Sequence, residues 1–293
     1  MQPRCCAIDA LSVTLDNAHR LNPHDRDMSI PFKSYVAGLC LVTFATAAHA
    51  NIEQQVAEYQ DASNKYLALL ARAQVAHDPA VALGEEGTAL IAVVSDDKRF
   101  LITTQVRDIE LPALEKMCVS AGQILEAIIQ FDLPADAQFG LVKLAKGGDI
   151  SSNATLAVER NLHTFAAPVS RIGAFGFRCN ARFARTLNVI RISDQEAAKK
   201  ASQQVSNSIL LMYKGLLNVV TAPNADVIVS ASWAEAGAEA APDLSSILSL
   251  KLRSQLRSDI NAALPKVSMR VYMSLKAVGD AVADQRCGQW CQL

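Results

Sequence analysis

The chain has 293 residues, of which 51% are hydrophobic and 19% are charged, and its formal net charge at pH 7 is -1. This composition supplies enough apolar side chains for a core and excludes a disordered chain, and the balanced charge argues against a nucleic-acid partner. Aromatic residues make up only 5%, and the abundance of alanine and leucine favours helices over sheets.

Residues 28–50 have the pattern of a cleavable signal peptide. Lys33 supplies a positive charge, 35–47 form an apolar run, and 48–50 read Ala-His-Ala, a small-x-small cleavage pattern. The run is too short to span a bilayer, which takes roughly 20 apolar residues. We therefore expect cleavage before Asn51, no stable membrane anchor afterwards, and a bacterial periplasmic or secreted protein.

Residues 1–27 are charged in a way that is unusual ahead of a signal peptide. We expect Met28 to be the initiator and 1–27 to be a mis-annotated extension. Residues 51–293 contain no repeat, low-complexity block or long linker, and they are expected to form a single helical domain.

Of the seven cysteines, Cys5, Cys6 and Cys40 lie in the part that we expect to be lost. An even number of cysteines in an exported protein indicates disulfides, here two, with three possible pairings. The four remaining cysteines are Cys118, Cys179, Cys287 and Cys291.

The first mature segment, 52–76, has apolar residues at three- and four-residue steps, which predicts a long amphipathic helix that ends at Asp78-Pro79. The next stretch, 88–106, is ambiguous because two apolar runs flank the polar residues 95–98. A β-hairpin would use those four residues as its turn, whereas a helix would use Ser95 as its N-cap. We favour helices and keep the hairpin as the alternative.

The segments 109–131 and 169–190 each predict a helix with one apolar stripe, the second if it tolerates Gly173 and Gly176. Each stripe contains a cysteine, Cys118 or Cys179, so both thiols are expected to point inward and to form a disulfide between the helices. Two unpaired buried thiols are the alternative.

Residues 193–196 read Ser-Asp-Gln-Glu, a capping box that opens a helix to about residue 220. Residues 226–233 fit a short strand or an extended connector, and 234–241 a loop or short helix. Two further helices are expected.

The first of these, 242–264, has leucines four apart, and the second, 267–282, fits a helix better than a strand because it is long. The fold is accordingly predicted to be mainly α, an antiparallel helical bundle of about six to eight helices.

The C-terminal sequence 287–291 reads Cys-Gly-Gln-Trp-Cys. A redox centre would need two residues between the cysteines, and a zinc site would need further ligands, for which only His77 and His163 remain in the mature chain. We expect a local structural disulfide, no metal site and no cofactor.

His163 is the candidate general base, but no nucleophile motif such as Gly-x-Ser-x-Gly accompanies it. Catalysis is therefore not the preferred interpretation.

Arg171, Arg178, Arg182 and Arg185 fall on one helical stripe, and no acidic residue lies between Arg171 and Arg191. Such a stripe could bind an anionic ligand or an envelope protein through planar guanidinium groups. We favour the other interpretation, in which these arginines form ion pairs with acids of the neighbouring helix, such as Glu110, Glu115, Glu126 and Asp132.

The sequence thus favours an exported, non-catalytic interaction or binding protein of the bacterial envelope. The alternatives are an exported hydrolase with a dispersed site and a carrier that holds an apolar ligand between its helices.

Overall fold

The computed structural model describes residues 43–101, 110–133, 152–190, 192, 195–284 and 286–293. Within these ranges the regular secondary structure consists of α-helices and a short 3-10 helix, with no strand. This confirms the prediction of a mainly α fold. The predicted extension at 1–27 and most of the predicted signal peptide lie outside the described residues. No helix within these ranges has both the length and the apolar character needed to cross a membrane.

The described residues contain eleven α-helices, more than the six to eight expected. The excess arises because α2 and α4 are single turns and because a predicted connector is helical. The helices are α1 (Thr43–Ala76), α2 (Ala80–Leu83), α3 (Glu85–Val94), α4 (Asp97–Phe100), α5 (Glu110–Ile129), α6 (Ser152–Thr164), α7 (Ala166–Val189), α8 (Gln195–Thr221), α9 (Val227–Ser245), α10 (Leu250–Ala263) and α11 (Met269–Ala283).

Helix α1 begins upstream of the predicted cleavage site and ends where the sequence predicted. His77 takes a left-handed φ of 50°. Its amide donates to the Gln74 carbonyl at 3.2 Å, and the Asp78 amide donates to the Ala73 carbonyl at 3.0 Å. These two bonds satisfy two of the carbonyls in the last turn of α1. The Asp78 carboxylate then accepts from the amide of Ala80 at 2.9 Å, which starts α2.

The alternative β-hairpin at 88–106 is wrong over the described part of that stretch, which forms α3 and α4. The buried side chains Ile91 and Val94 lie three residues apart on one face of α3, and Phe100 is the buried side chain of α4. The cap of α4 is Asp96, whose carboxylate accepts from the Arg99 amide at 3.0 Å, and not Ser95 as expected. Residues 102–109 lie outside the described ranges, as does the start of the predicted capping box at 193–194.

Helix α9 corrects two predictions, the strand or connector at 226–233 and the helix start at Pro242. Of the loop or short helix expected at 234–241, the structure shows helix. The Asp226 carboxylate accepts from the amides of Ile228 and Val229, both at 2.9 Å, so a helix begins at this point despite its β-branched residues. Pro242 lies inside α9, and the next helix starts after Ser249. Packing of α9 against α7 and α11 outweighs the local preferences.

Helix α7 packs against both α5 and α9, and α1 packs against α5. The close approach of α7 to α9 requires Gly173, because a Cβ at this position would overlap the indole of Trp233. That indole donates to the Val169 carbonyl at 2.9 Å. Buried apolar side chains from α1 to the C-terminal segment form one connected core.

Both predicted disulfides are present. Cys118 on α5 pairs with Cys179 on α7 at a Cα–Cα distance of 5.7 Å, and Cys287 pairs with Cys291 at 5.4 Å. The first bond joins the two inward-facing stripes, as their helical spacing predicted.

The C-terminal segment is held by a buried arginine that the sequence did not single out. Arg253 is only 2% exposed. Its guanidinium donates to the carbonyls of Leu248 at 2.9 Å and Arg286 at 2.9 Å, and also to that of Asp284. Trp290 anchors the same segment, because its indole N–H donates to the Leu187 carbonyl at 2.7 Å.

Candidate ligand-binding cavity

Two arginines of the predicted anion-binding stripe form ion pairs. Arg178 Nε lies 2.9 Å from a carboxylate oxygen of Glu239, and its Nη1 lies 3.5 Å from Asp97. Arg185 Nη2 lies 2.5 Å from a carboxylate oxygen of Asp243, which raises the pKa of that guanidinium. These acids belong to α4 and α9, whereas the sequence pointed to acids of α5.

The other two members of the stripe differ in exposure: Arg182 is 9% exposed and Arg171 is on the surface. Pairing of Arg178 and Arg185 within the chain supports the structural interpretation of the stripe. Binding of an anionic partner by these four residues stays a prediction.

His163 lies at the end of α6, where two acceptor atoms contact its ring. Its Nδ1 lies 3.0 Å from a carboxylate oxygen of Asp226, and its Nε2 lies 2.8 Å from the carbonyl oxygen of Asn224. Both neighbours are acceptor atoms, so neither nitrogen is placed to take a proton from a hydroxyl group. His77, the other histidine of the expected mature chain, contacts Asp132 at 3.1 Å.

A cavity of about 460 Å³, here called the α5–α7–α8 cavity, has room for a small molecule. Small-molecule sites in proteins typically occupy ~300–1,000 Å³. Helix α8 packs chiefly on α9 and α10, and it faces α5 and α7 across this space. Most lining side chains are apolar, and they include Val119, Leu125, Ile129, Val158, Leu162, Ile172, Phe177, Phe183, Leu211, Met212, Val219 and Trp233.

The cavity is elongated along the helices. Its lining extends on α5 from Glu115 to Ile129 and on α8 and the turn after it from Ser208 to Pro223. At a rise of 1.5 Å per residue, each stretch covers about 21 Å. Helix α6 closes one end, where the Asn161 side chain donates to the carbonyl of Ile129 at 3.0 Å.

Three glycines in the cavity walls adjoin open space. A Cβ built on Gly122 of α5, Gly176 of α7 or Gly215 of α8 would meet no heavy atom within 4 Å. Glycine in a helix interior is less favourable than alanine by about 1 kcal/mol. All three glycines line the cavity, so each leaves free volume where any other side chain would fill it.

The wall formed by α5 and α7 is fixed covalently, because Cys118 of the Cys118–Cys179 disulfide is one of its lining residues. Trp233, whose indole is held by the Val169 carbonyl, closes the wall toward α9. The disulfide and this hydrogen bond tie α5, α7 and α9 together around the cavity.

The described lining contains two ionisable side chains, Glu115 and Glu159. Glu159 accepts from the side-chain amide of Asn224 at 3.2 Å, near the end of the cavity that α6 closes. Glu115 lies at the other end, and its burial raises the pKa of its carboxyl group. No lysine, arginine or histidine belongs to the described lining.

The sequence analysis placed Gly173 and Gly176 in a helix but did not identify the cavity. The missed signal is that α5, α7 and α8 each contain an interior glycine on an otherwise apolar face. No group of three or more potential metal ligands occurs within the ranges that the structure describes.

Comparison with known proteins adds no assignment: no family model matches the chain, and no curated protein or solved structure is significantly similar to it.

Proposed function

We propose that this protein is an exported binding protein that holds an apolar small molecule in the α5–α7–α8 cavity. The observation that supports it best is the elongated, apolar space of about 460 Å³, into which no side chain projects from Gly122, Gly176 or Gly215. Burial of an apolar ligand against such walls is favourable by about 25 cal/mol per Å² of surface removed from water.

The composition of the lining favours binding over catalysis. The sulfur of Cys118 is in a disulfide, and the described lining contains no histidine. Apolar walls with a few polar groups are typical of small-molecule sites, and since the described lining offers neither a free thiol nor a histidine, we assign this one to binding.

Export is part of the same proposal. The signal-like segment 28–50 and the two disulfides both fit an oxidising compartment such as the bacterial periplasm or the medium. In this interpretation the helices of the mature chain form an antiparallel bundle around the cavity, with α5 and α7 as a covalently joined pair.

The test is a titration of purified protein with the neutral probe N-phenyl-1-naphthylamine, whose fluorescence rises in apolar surroundings. We expect saturable binding to one site. The variant Gly176→Leu places a side chain in the cavity and should weaken binding at least tenfold.

The matched control is Ala277→Leu, which adds the same side chain at an exposed position of α11. It should bind the probe like the unmodified protein. Equal binding by Gly176→Leu and the control, with both folded by circular dichroism, would place the probe elsewhere and overturn the proposal.

A further inference from the structure

The ionisable groups described in the lining of the α5–α7–α8 cavity all have the same sign of charge. Both ionisable side chains of its described lining are acidic, and they lie at opposite ends of the elongated space. Glu159 already accepts a hydrogen bond from Asn224. An anionic head group, such as the carboxylate of a fatty acid, would meet repulsion from a glutamate at either end.

Glu115 differs from Glu159 in having no hydrogen-bond or ion-pair partner within the described ranges. It is half-buried, in the second turn of α5, beside the apolar walls. Removing a carboxylate from water without a compensating partner is unfavourable. Desolvation is also the cause of the raised pKa of its carboxyl group. A cation brought to this position by a ligand would relieve that cost.

We propose that the ligand is a cationic amphiphile whose apolar tail lies along the cavity and whose ammonium group pairs with the Glu115 carboxylate. This inference rests on the proposed function, since it assigns the head group of the molecule that the cavity holds. The head group would then lie with Glu115 at the end of the cavity opposite to α6, and the tail would extend toward Ile129 and Val158.

The experiment compares three probes of equal chain length, dodecylamine, dodecanol and dodecanoate, below their critical micelle concentrations at pH 7.5. Calorimetry measures binding, and displacement of N-phenyl-1-naphthylamine measures occupancy of the cavity. We expect the amine to bind at least tenfold tighter than the alcohol, and the carboxylate to bind most weakly.

The variant Glu115→Gln should lose at least tenfold in affinity for the amine and keep its affinity for the alcohol. The matched control Glu159→Gln should leave the order of the three probes unchanged. Thermal unfolding of both variants checks that the fold is intact.

The outcomes separate the two proposals. Equal affinity for all three probes, or a preference that Glu159→Gln removes and Glu115→Gln does not, overturns the head-group assignment and leaves the cavity as a binding site. Failure of every probe to bind overturns the proposed function itself. A dimer in sedimentation that dissociates as the probes bind would make a second copy of the chain the natural occupant, and this also overturns the assignment.

Discussion

Two glycines three residues apart on α7 should respond in opposite directions to the same substitution. Both line the α5–α7–α8 cavity, but a Cβ on Gly176 would point into open space, whereas a Cβ on Gly173 would meet the indole of Trp233. The changes Gly176→Ala and Gly173→Ala add one methyl group each to the same helix. Their difference therefore reports the surroundings of that methyl group and cancels the helix propensity of alanine.

The methyl group of Gly176→Ala would meet no heavy atom within 4 Å. The substitution should raise the free energy of unfolding by about 0.5–1 kcal/mol, since alanine is the better helix former. For a domain of this size, that gain corresponds to a rise in Tm of roughly 2–4 °C at most.

The methyl group of Gly173→Ala would overlap the indole ring of Trp233. The ring must move, which costs about 1–3 kcal/mol for overpacking. Its N–H also loses the 2.9 Å bond to the Val169 carbonyl, and a buried unsatisfied donor costs roughly 1–3 kcal/mol. Less the gain in helix propensity, the net loss should be about 3 kcal/mol.

The assay is thermal unfolding of the oxidised protein, followed by circular dichroism, with urea unfolding to obtain free energies. A rise in Tm for Gly176→Ala beside a clear fall for Gly173→Ala supports the described cavity. If Gly176→Ala destabilises the protein as much as Gly173→Ala does, the space opposite Gly176 is filled, and the reasoning about the cavity is refuted.

Three further predictions concern the disulfides, Arg253 and Glu115. Replacing Cys118 and Cys179 by alanine removes a disulfide that joins residues separated by 61 positions, and it should lower the free energy of unfolding in urea by about 4 kcal/mol. The same change at Cys287 and Cys291 should lower it by about 2 kcal/mol, because the loop that this disulfide closes is shorter. Arg253→Met should lose about 3 kcal/mol through the carbonyls left without a donor, with hydrogen exchange rising most at 284–293; uniform exchange across the chain would contradict this. The pKa of Glu115 is raised in the fold, so its ionisation destabilises the native state as pH rises through that pKa. Glu115→Gln should therefore be more stable than the unmodified protein at pH 7.5 and differ less from it at pH 4; a constant difference between pH 4 and pH 7.5 would show that the carboxyl group is not coupled to folding.

Patterns within single helices were the part of the fold that the sequence predicted well. The stripes that contain Cys118 and Cys179 required only the 3.6-residue period of one helix each, and the disulfide followed from both facing the core. The end of α1 is equally local, because Pro79 has no amide hydrogen to donate and disfavours a helical conformation at Asp78, and because His77 accepts a left-handed conformation.

Prediction failed where tertiary packing decided the local structure. Residues 227–229 are β-branched and suggest a strand, yet a cap at Asp226 and close contact with α7 make them the first turn of α9. The partners of the arginine stripe, on α4 and α9, depend on which helices adjoin α7. A one-dimensional period specifies the inward face of a helix but not the neighbour that it meets.

The cavity could not be predicted for the same reason, since it is a space between three helices that are distant in sequence. Considered alone in the sequence, each of Gly122, Gly176 and Gly215 is only a slightly unfavourable residue inside a helix. Only their convergence on one space gives them a common role, and that convergence requires the arrangement of α5, α7 and α8.

The Cys118–Cys179 disulfide stabilises the wall of the cavity without occupying its volume. Three interior glycines together cost the helices about 3 kcal/mol relative to alanine. The disulfide contributes about 4 kcal/mol by restricting the unfolded chain, an amount that offsets this cost without adding any side chain to the cavity. A larger apolar residue on α5 or α7 would also stabilise the pair, but it would fill the volume that a ligand needs. Covalent joining of the two helices is thus a way to keep an apolar space open in a stable protein, and it is available only where thiols oxidise, which links the site to the proposed compartment.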